Sequence, residues 1–203
     1  MPIDERTQLW LVRHGATEWS EAGRHTSVTD LPLLPAGESG ARQVGELLSG
    51  HDFGLVLSSP RLRATETARL AGFPDPVIDD DLVEWSYGKG EGLTSVQIRE
   101  MIPDWRIWTH GAPRLDRQGD FAPGEDVEEV EERLTRVVER ARTSGVAKVL
   151  AFGHGHALRS LAMVWLGLPV WQAAHFPLYT GRVSVLGYEK ESPALVAWNV
   201  GDL

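Results

Sequence analysis

The sequence contains no cysteine among its 203 residues. That absence excludes a disulfide framework and any thiolate metal site. No apolar run approaches the ~18 residues that a membrane-spanning helix requires. The first six residues, Met1-Pro2-Ile3-Asp4-Glu5-Arg6, lack the basic-then-apolar order of a signal peptide. Together these absences predict a cytoplasmic protein with no membrane partner. Basic residues are scarce: 20 Lys and Arg face 29 Asp and Glu, a formal net charge of -9. Broad nucleic-acid binding needs a basic face and is excluded. An acidic chain that takes an anionic ligand must gather its arginines locally, because its overall field repels that ligand.

Repeats, low-complexity tracts and linkers are also missing. The hydrophobic fraction of 42% and charged fraction of 24% suit a globular chain, and the length suits one domain over residues 1–203. Three short apolar runs stand out: Leu9-Trp10-Leu11-Val12, Leu55-Val56-Leu57 and Val149-Leu150-Ala151-Phe152. Each is continuous rather than alternating, as strands buried on both faces of a parallel sheet are.

Helical patterns lie between the runs. Pro35 opens one, with Ala41, Val44, Leu47 and Leu48 on its apolar face. Ser59-Pro60 reads as a cap and first-turn proline for a helix ending near Ala71. Residues Glu125 to Thr143 make the clearest helix, with acids early and arginines late, as the helix dipole favours. Another spans Ala157 to Leu166. Val183 to Tyr188 and Leu195 to Trp198 read as an antiparallel pair. Strand–helix alternation predicts a three-layer α/β/α sandwich on a mostly parallel sheet. Residues 84–124, rich in Trp, Gly and Pro, read as an excursion with short helices that roofs a site.

Ligands of open α/β sheets bind at the carboxyl ends of the strands. Here Arg13-His14-Gly15 follows the first run, Ser58-Ser59-Pro60-Arg61-Leu62-Arg63 the second, and Gly153-His154-Gly155-His156 the third. Three strand ends thus bring histidine or arginine to one rim. Arginine grips phosphate oxygens bidentately, and a neutral imidazole attacks phosphorus. Glycines beside the histidines allow backbone amides close to such a ligand. A leaving alcohol also needs a proton, and Glu84, set beside aromatics that exclude water, is the candidate acid. Trp85, Tyr87, Trp105 and Trp108 read as packing residues. His154 and His156 have the spacing of metal ligands on a strand, but no acidic cluster accompanies them. His156 either lines the pocket or caps the next helix.

The segment from Leu11 to Trp19, with Arg13-His14-Gly15 at its centre, resembles the signature of the histidine phosphatase superfamily, in its phosphoglycerate-mutase-like, broad-specificity phosphatase branch. Ser58 to Ala68 resembles its second block, Leu82-Val83-Glu84 with Tyr87-Gly88 its third, and Phe152 to His156 its last. The blocks occur in the family's order over nearly the whole chain. The resemblance implies a phosphohistidine on His14, with Arg13, Arg63 and His154 holding phosphate and Glu84 as proton donor. Arg61 is read as a surface residue. The resemblance implies no metal and no organic cofactor. It places Ser20 where relatives carry a polar pocket residue. It also likens Gly23 to Leu33 to phosphatases of sugar phosphates, so Arg24 and His25 are expected to touch a substrate's distal group. Thr26, Gly155 and His156 are the remaining candidate substrate contacts beside Ser20. The expected partner is a small phosphorylated metabolite, and a homodimer is left open. The rival readings are a phosphoglycerate mutase and a non-catalytic phosphate-binding module. The short middle of the chain, and Gly155-His156 after the second histidine, favour hydrolysis.

Overall fold

The computed structural model describes residues 6–201, so Met1–Glu5 of the N-terminal reading lie outside the described residues. The elements run β1 (Gln8–Arg13), α1 (Glu18–Glu21), α2 (Pro35–Leu48), β2 (Leu55–Ser58), α3 (Leu62–Leu70), β3 (Val77–Ile78), α4 (Ser95–Met101), α5 (Ile107–His110), α6 (Val127–Arg142), β4 (Lys148–Gly153), α7 (Gly155–Leu166), β5 (Val183–Glu189) and β6 (Ser192–Val200). Short 3-10 turns occupy Asp80–Leu82, Gly88–Gly90 and Val170–His175.

One six-stranded sheet has the order β3-β2-β4-β1-β5-β6. β1, β2, β3 and β4 are mutually parallel, while β5 runs antiparallel to β1 and β6 to β5. Side chains alternate across a strand, and both faces here are apolar. Leu9, Leu11, Val149 and Ala151 point into a core shared with Val130, Leu134 and Val137 of α6 and Leu158 and Leu161 of α7. Val12, Leu150 and Phe152 point the other way, onto Val44 and Leu48 of α2 and Ala68 of α3. Two-sided covering explains why these strands read as unbroken apolar runs. Emptying one such site, as in Phe152→Ala, costs about 3–5 kcal/mol.

Two local expectations change. Leu47 is 42% exposed, because it rotates off the stripe formed by Ala41, Val44 and Leu48. Ser59 does not cap α3, which starts at Leu62. The Leu62 N–H is taken instead by the Asp30 carboxylate at 2.8 Å, a partner 32 residues away. That frees the Ser59 hydroxyl for the site described below.

The parallel register sets that site. Arg13 pairs with Gly153 and Ser58 with Phe152, so β1, β2 and β4 end at one edge. His14, Ser59 and His154 are the next residues along the chain.

Candidate active site

His14 is 5% exposed. Its Nδ1 lies 2.7 Å from the Gly15 carbonyl. A carbonyl only accepts, so Nδ1 carries the proton and Nε2 keeps a lone pair. Burial, then the Arg13 and Arg63 charges, hold the imidazole well below the ordinary histidine value of 6.5, against a smaller opposing effect from the Gly15 bond. His14 is therefore neutral at physiological pH. Gly15 is required by a close approach: a Cβ there would sit 2.3 Å from the Gly37 carbonyl oxygen at the start of α2. Its N–H donates to Thr67 Oγ1 at 2.9 Å. The amide expected to approach phosphate is thus spent inside the fold.

Glu84 is 6% exposed and accepts three backbone N–H groups. Oε1 takes Trp85 N at 2.9 Å and Ala157 N at 2.8 Å, and Oε2 takes His156 N at 3.0 Å. Two of these belong to the first turn of α7, whose cap residue His154 makes no side-chain capping bond. Glu84 therefore satisfies the exposed amides that every helix start leaves. The loop before it is anchored by buried Arg133 of α6, which donates to the carbonyls of Asp81 (2.7 Å) and Val83 (2.9 Å). The same guanidinium pairs with Glu125 at 2.7 Å. Glu91 is occupied elsewhere, accepting from Ser27 N and Thr29 N. Of these three acids, only Glu84 shares a cleft with His14.

That cleft has a volume of about 220 Å³. Nine of the eleven anticipated site residues line it: Arg13, His14, Ser20, Arg24, His25, Thr26, Glu84, Gly155 and His156. A larger cavity of about 690 Å³ between Lys89 and Glu129 contains none of them. Arg13 donates from Nη1 to the Leu178 carbonyl at 2.5 Å, while its buried Nε has no partner among the described residues. A Cβ on Gly155 would come within 3.1 Å of the Arg13 Cζ, so glycine lets this guanidinium pass the start of α7. The Ser20 hydroxyl is tied into a capping box with Thr17.

Arg63 and His154 lie beneath the cleft rather than in its wall. Arg63 is wholly buried. It donates to the carbonyls of Thr26 (3.2 Å), Ser27 (3.1 Å) and Thr29 (3.1 Å), and from Nε to His154 Nδ1 at 3.2 Å. His154 Nδ1 must then be unprotonated, and Nε2–H donates to Ser59 Oγ at 2.8 Å. Burial, then Arg63 and His14, push His154 well below 6.5. Its ring centroid is 5.2 Å from that of His14. The histidines of the last block are not paired on a strand: His154 precedes α7 and His156 is in its first turn.

On the opposite side stands an aromatic wall. The Tyr87 hydroxyl lies 2.6 Å from His156 Nδ1. Burial, then Glu84 and Glu91, raise the tyrosine well above 10, and burial with His25 pushes His156 well below 6.5. Tyr87 therefore donates and His156 accepts. His25 stacks on His156 at 5.7 Å and contacts Ser95 Oγ at 3.2 Å. Burial, then Arg99, lower His25 to about 4. Trp85 and Trp105 pack in the core as expected, but Tyr87 also faces the cleft. Sequence reasoning missed Arg159 and Ser95, both in the cleft wall. Arg159 left one signal: it is the only charged residue between Ala157 and Leu166.

The chain as a whole matches known proteins. Residues 9–201 match the model of the histidine phosphatase superfamily, branch 1. An acid phosphatase from Mycobacterium tuberculosis H37Rv is 38% identical over 185 residues, covering 90% of this chain and 87% of that protein. A sedoheptulose 1,7-bisphosphatase from Saccharomyces cerevisiae is 34% identical over 192 residues, covering 79% of this chain and 68% of the relative. A solved structure of a Mycobacterium tuberculosis protein superposes with a TM-score of 0.87 at 36% identity, covering 96% of this chain and 97% of the other. Among the described residues no helix is long and apolar enough to cross a membrane. With the signature histidines, arginines and glutamate gathered at one sheet edge, the chain belongs to branch 1 of the histidine phosphatase superfamily and is a phosphatase.

Proposed function

We propose that this phosphatase hydrolyses small phosphate monoesters through a phosphohistidine on His14. The observation that carries the reading is the Nδ1–H bond from His14 to Gly15, in a cleft shared with Arg13 and Glu84. It leaves the Nε2 lone pair for attack on phosphorus. As the N–P bond forms, the P–O bond to the alcohol breaks. Glu84 gives its proton to the leaving oxygen, then takes one from the water that cleaves the phosphohistidine. Its Oε1 accepts two N–H groups and its Oε2 only one, so Oε2 retains a lone pair for that proton.

Arg13 is the cation we assign to the phosphoryl oxygens, since its Nε is buried and unpartnered. Arg63 supports the phosphoryl site from below, through its positive charge and through the backbone of Thr26 to Thr29, and its Nε donates to the neutral His154 beside it. Ser20, Arg24, His25, Thr26, Gly155 and His156 form the surface met by the alcohol portion.

Hydrolysis of p-nitrophenyl phosphate by wild type and His14→Ala tests this reading, with a 3-phosphoglycerate mutase assay beside it. Loss of roughly 10³-fold or more in kcat is expected for the variant. Undiminished turnover by His14→Ala would remove the mechanism. Mutase flux above hydrolysis would replace the hydrolytic assignment.

A further inference from the structure

The loop from Thr26 to Thr29, which reaches the cleft at Thr26, is gripped from two sides. Arg63 takes its carbonyls, at Thr26 (3.2 Å), Ser27 (3.1 Å) and Thr29 (3.1 Å). Glu91 takes its amides. Oε1 accepts Ser27 N at 2.9 Å and Thr29 N at 3.1 Å, and Oε2 accepts Ser27 N at 3.0 Å. Glu91 itself does not line the cleft, and the mechanism above gives it no part.

The two grips meet on the same peptide units. A peptide is planar, so its N–H and C=O turn together. The Thr26–Ser27 unit gives its N–H to Glu91 and its carbonyl accepts from Arg63 Nη2. The Val28–Thr29 unit gives its N–H to Glu91, and its carbonyl accepts from Arg61 Nη1 at 3.4 Å. Holding each N–H therefore fixes the direction of the carbonyl on the far side. Hydrogen bonds in such a chain also polarise one another. Arg63 passes the constraint on, because its Nε donates to His154 Nδ1 at 3.2 Å. The path runs from Glu91 through the backbone to Arg63 and His154, and ends 5.2 Å from the centre of the His14 ring.

The main chain nearby is anchored without the Glu91 side chain. Gly92 N donates to the His25 carbonyl and His25 N to the Leu93 carbonyl, both at 2.8 Å. Arg117 Nη1 donates to the Glu91 carbonyl at 3.2 Å. The carboxyl group is thus not what ties the two segments together.

We infer that Glu91 is a positioning residue for phosphoryl transfer, acting through the Thr26–Ser27 peptide on Arg63 and through Arg63 on His154. This deepens the phosphatase reading above and rests on it. Arg61, expected at the surface, joins the same grip through Val28.

The test measures kcat and KM for p-nitrophenyl phosphate, the ring-nitrogen NMR signals of His154 and the urea midpoint. The variants are Glu91→Gln and Glu91→Ala, each alone and combined with Arg63→Lys. Glu91→Ala should lower kcat roughly tenfold, the size of one hydrogen bond to a charged group, and change KM less. Glu91→Gln should lose less, because one side-chain oxygen can still accept from both amides. With Arg63→Lys already present, either change should cost less than about twofold, because the path through Arg63 is gone. In Glu91→Ala the His154 signals should move toward a mixture of Nδ1–H and Nε2–H forms. A lower urea midpoint with kcat and the His154 signals as in wild type would make Glu91 a loop tether and overturn the inference. So would losses that add fully to those of Arg63→Lys. Should Glu91→Ala not fold, Glu91→Gln carries the same measurements. If turnover proves independent of His14, the catalytic reading falls, while the His154 signals still decide whether Glu91 acts on that ring.

Discussion

Arg63 Nε donates to His154 Nδ1 over 3.2 Å, and this contact sets the protonation of the second histidine. A guanidinium has no acceptor, so His154 carries its proton on Nε2, toward Ser59. Arg63→Lys removes the planar fork that spans His154 and the carbonyls of Thr26, Ser27 and Thr29. We expect kcat on p-nitrophenyl phosphate to fall about a hundredfold, as when a preorganised donor is lost from an active site. Nitrogen NMR should show the His154 proton on Nε2 in wild type. A variant within twofold of wild type would show that the fork is dispensable.

Glu84→Gln keeps an oxygen for the α7 amides but removes the transferable proton. The expected loss in kcat is about 10²–10⁴-fold for alkyl phosphates. It should be much smaller for p-nitrophenyl phosphate, whose leaving group departs as an anion. Equal losses on both substrates would mean that Glu84 orients α7 and transfers no proton in phosphorylation.

Four buried imidazoles, His14, His25, His154 and His156, have folded-state values below 6.5. The unfolded chain therefore binds protons first as pH falls. Stability is complete above about 6.5 and declines as pH drops through the interval between the unfolded and folded values. For His25 that interval runs from 6.5 to about 4, a loss of about 3 kcal/mol by its lower end. The other three act in the same direction. Urea midpoints measured at neutral pH and near pH 5 should show the decline, with a smaller slope in His25→Gln. A flat profile would contradict the neutral, buried state of these rings.

Arg133 holds the Glu84 loop from a position on the buried face of α6. Arg133→Ala leaves the Glu125 carboxylate without its partner and frees the carbonyls of Asp81 and Val83. Removing one side of a buried pair costs about 3–5 kcal/mol. Denaturant titration measures that loss directly. A cost below 1 kcal/mol would show that the loop is held by packing alone.

Much of the frame was legible because burial on both faces leaves a local mark. Leu9–Val12 and Val149–Phe152 are continuous apolar runs for that reason, and His14 and His154 follow them directly. What sequence could not show were contacts closed across long stretches of chain. The cap of α3 comes from Asp30, and the first-turn amides of α7 are taken by Glu84, 72 and 73 residues before them. The resemblance of Ser58 to Ala68 to the family's second block is what assigned Arg63 to phosphate. Its burial under the Thr26–Thr29 loop depends on where that loop returns, which no spacing reveals. Arg159 sat within an apolar helix, where only its solitary charge distinguished it.

The central claim is covalent chemistry at His14, and rapid-quench trapping tests it most directly. Wild type is mixed with a radiolabelled phosphate monoester, quenched in alkali within one turnover, digested and mapped. The expected result is one phosphoryl group on the peptide containing His14, stable to alkali, labile to acid and missing from His14→Ala. Full turnover with no label on that peptide, or label retained in His14→Ala, would contradict it.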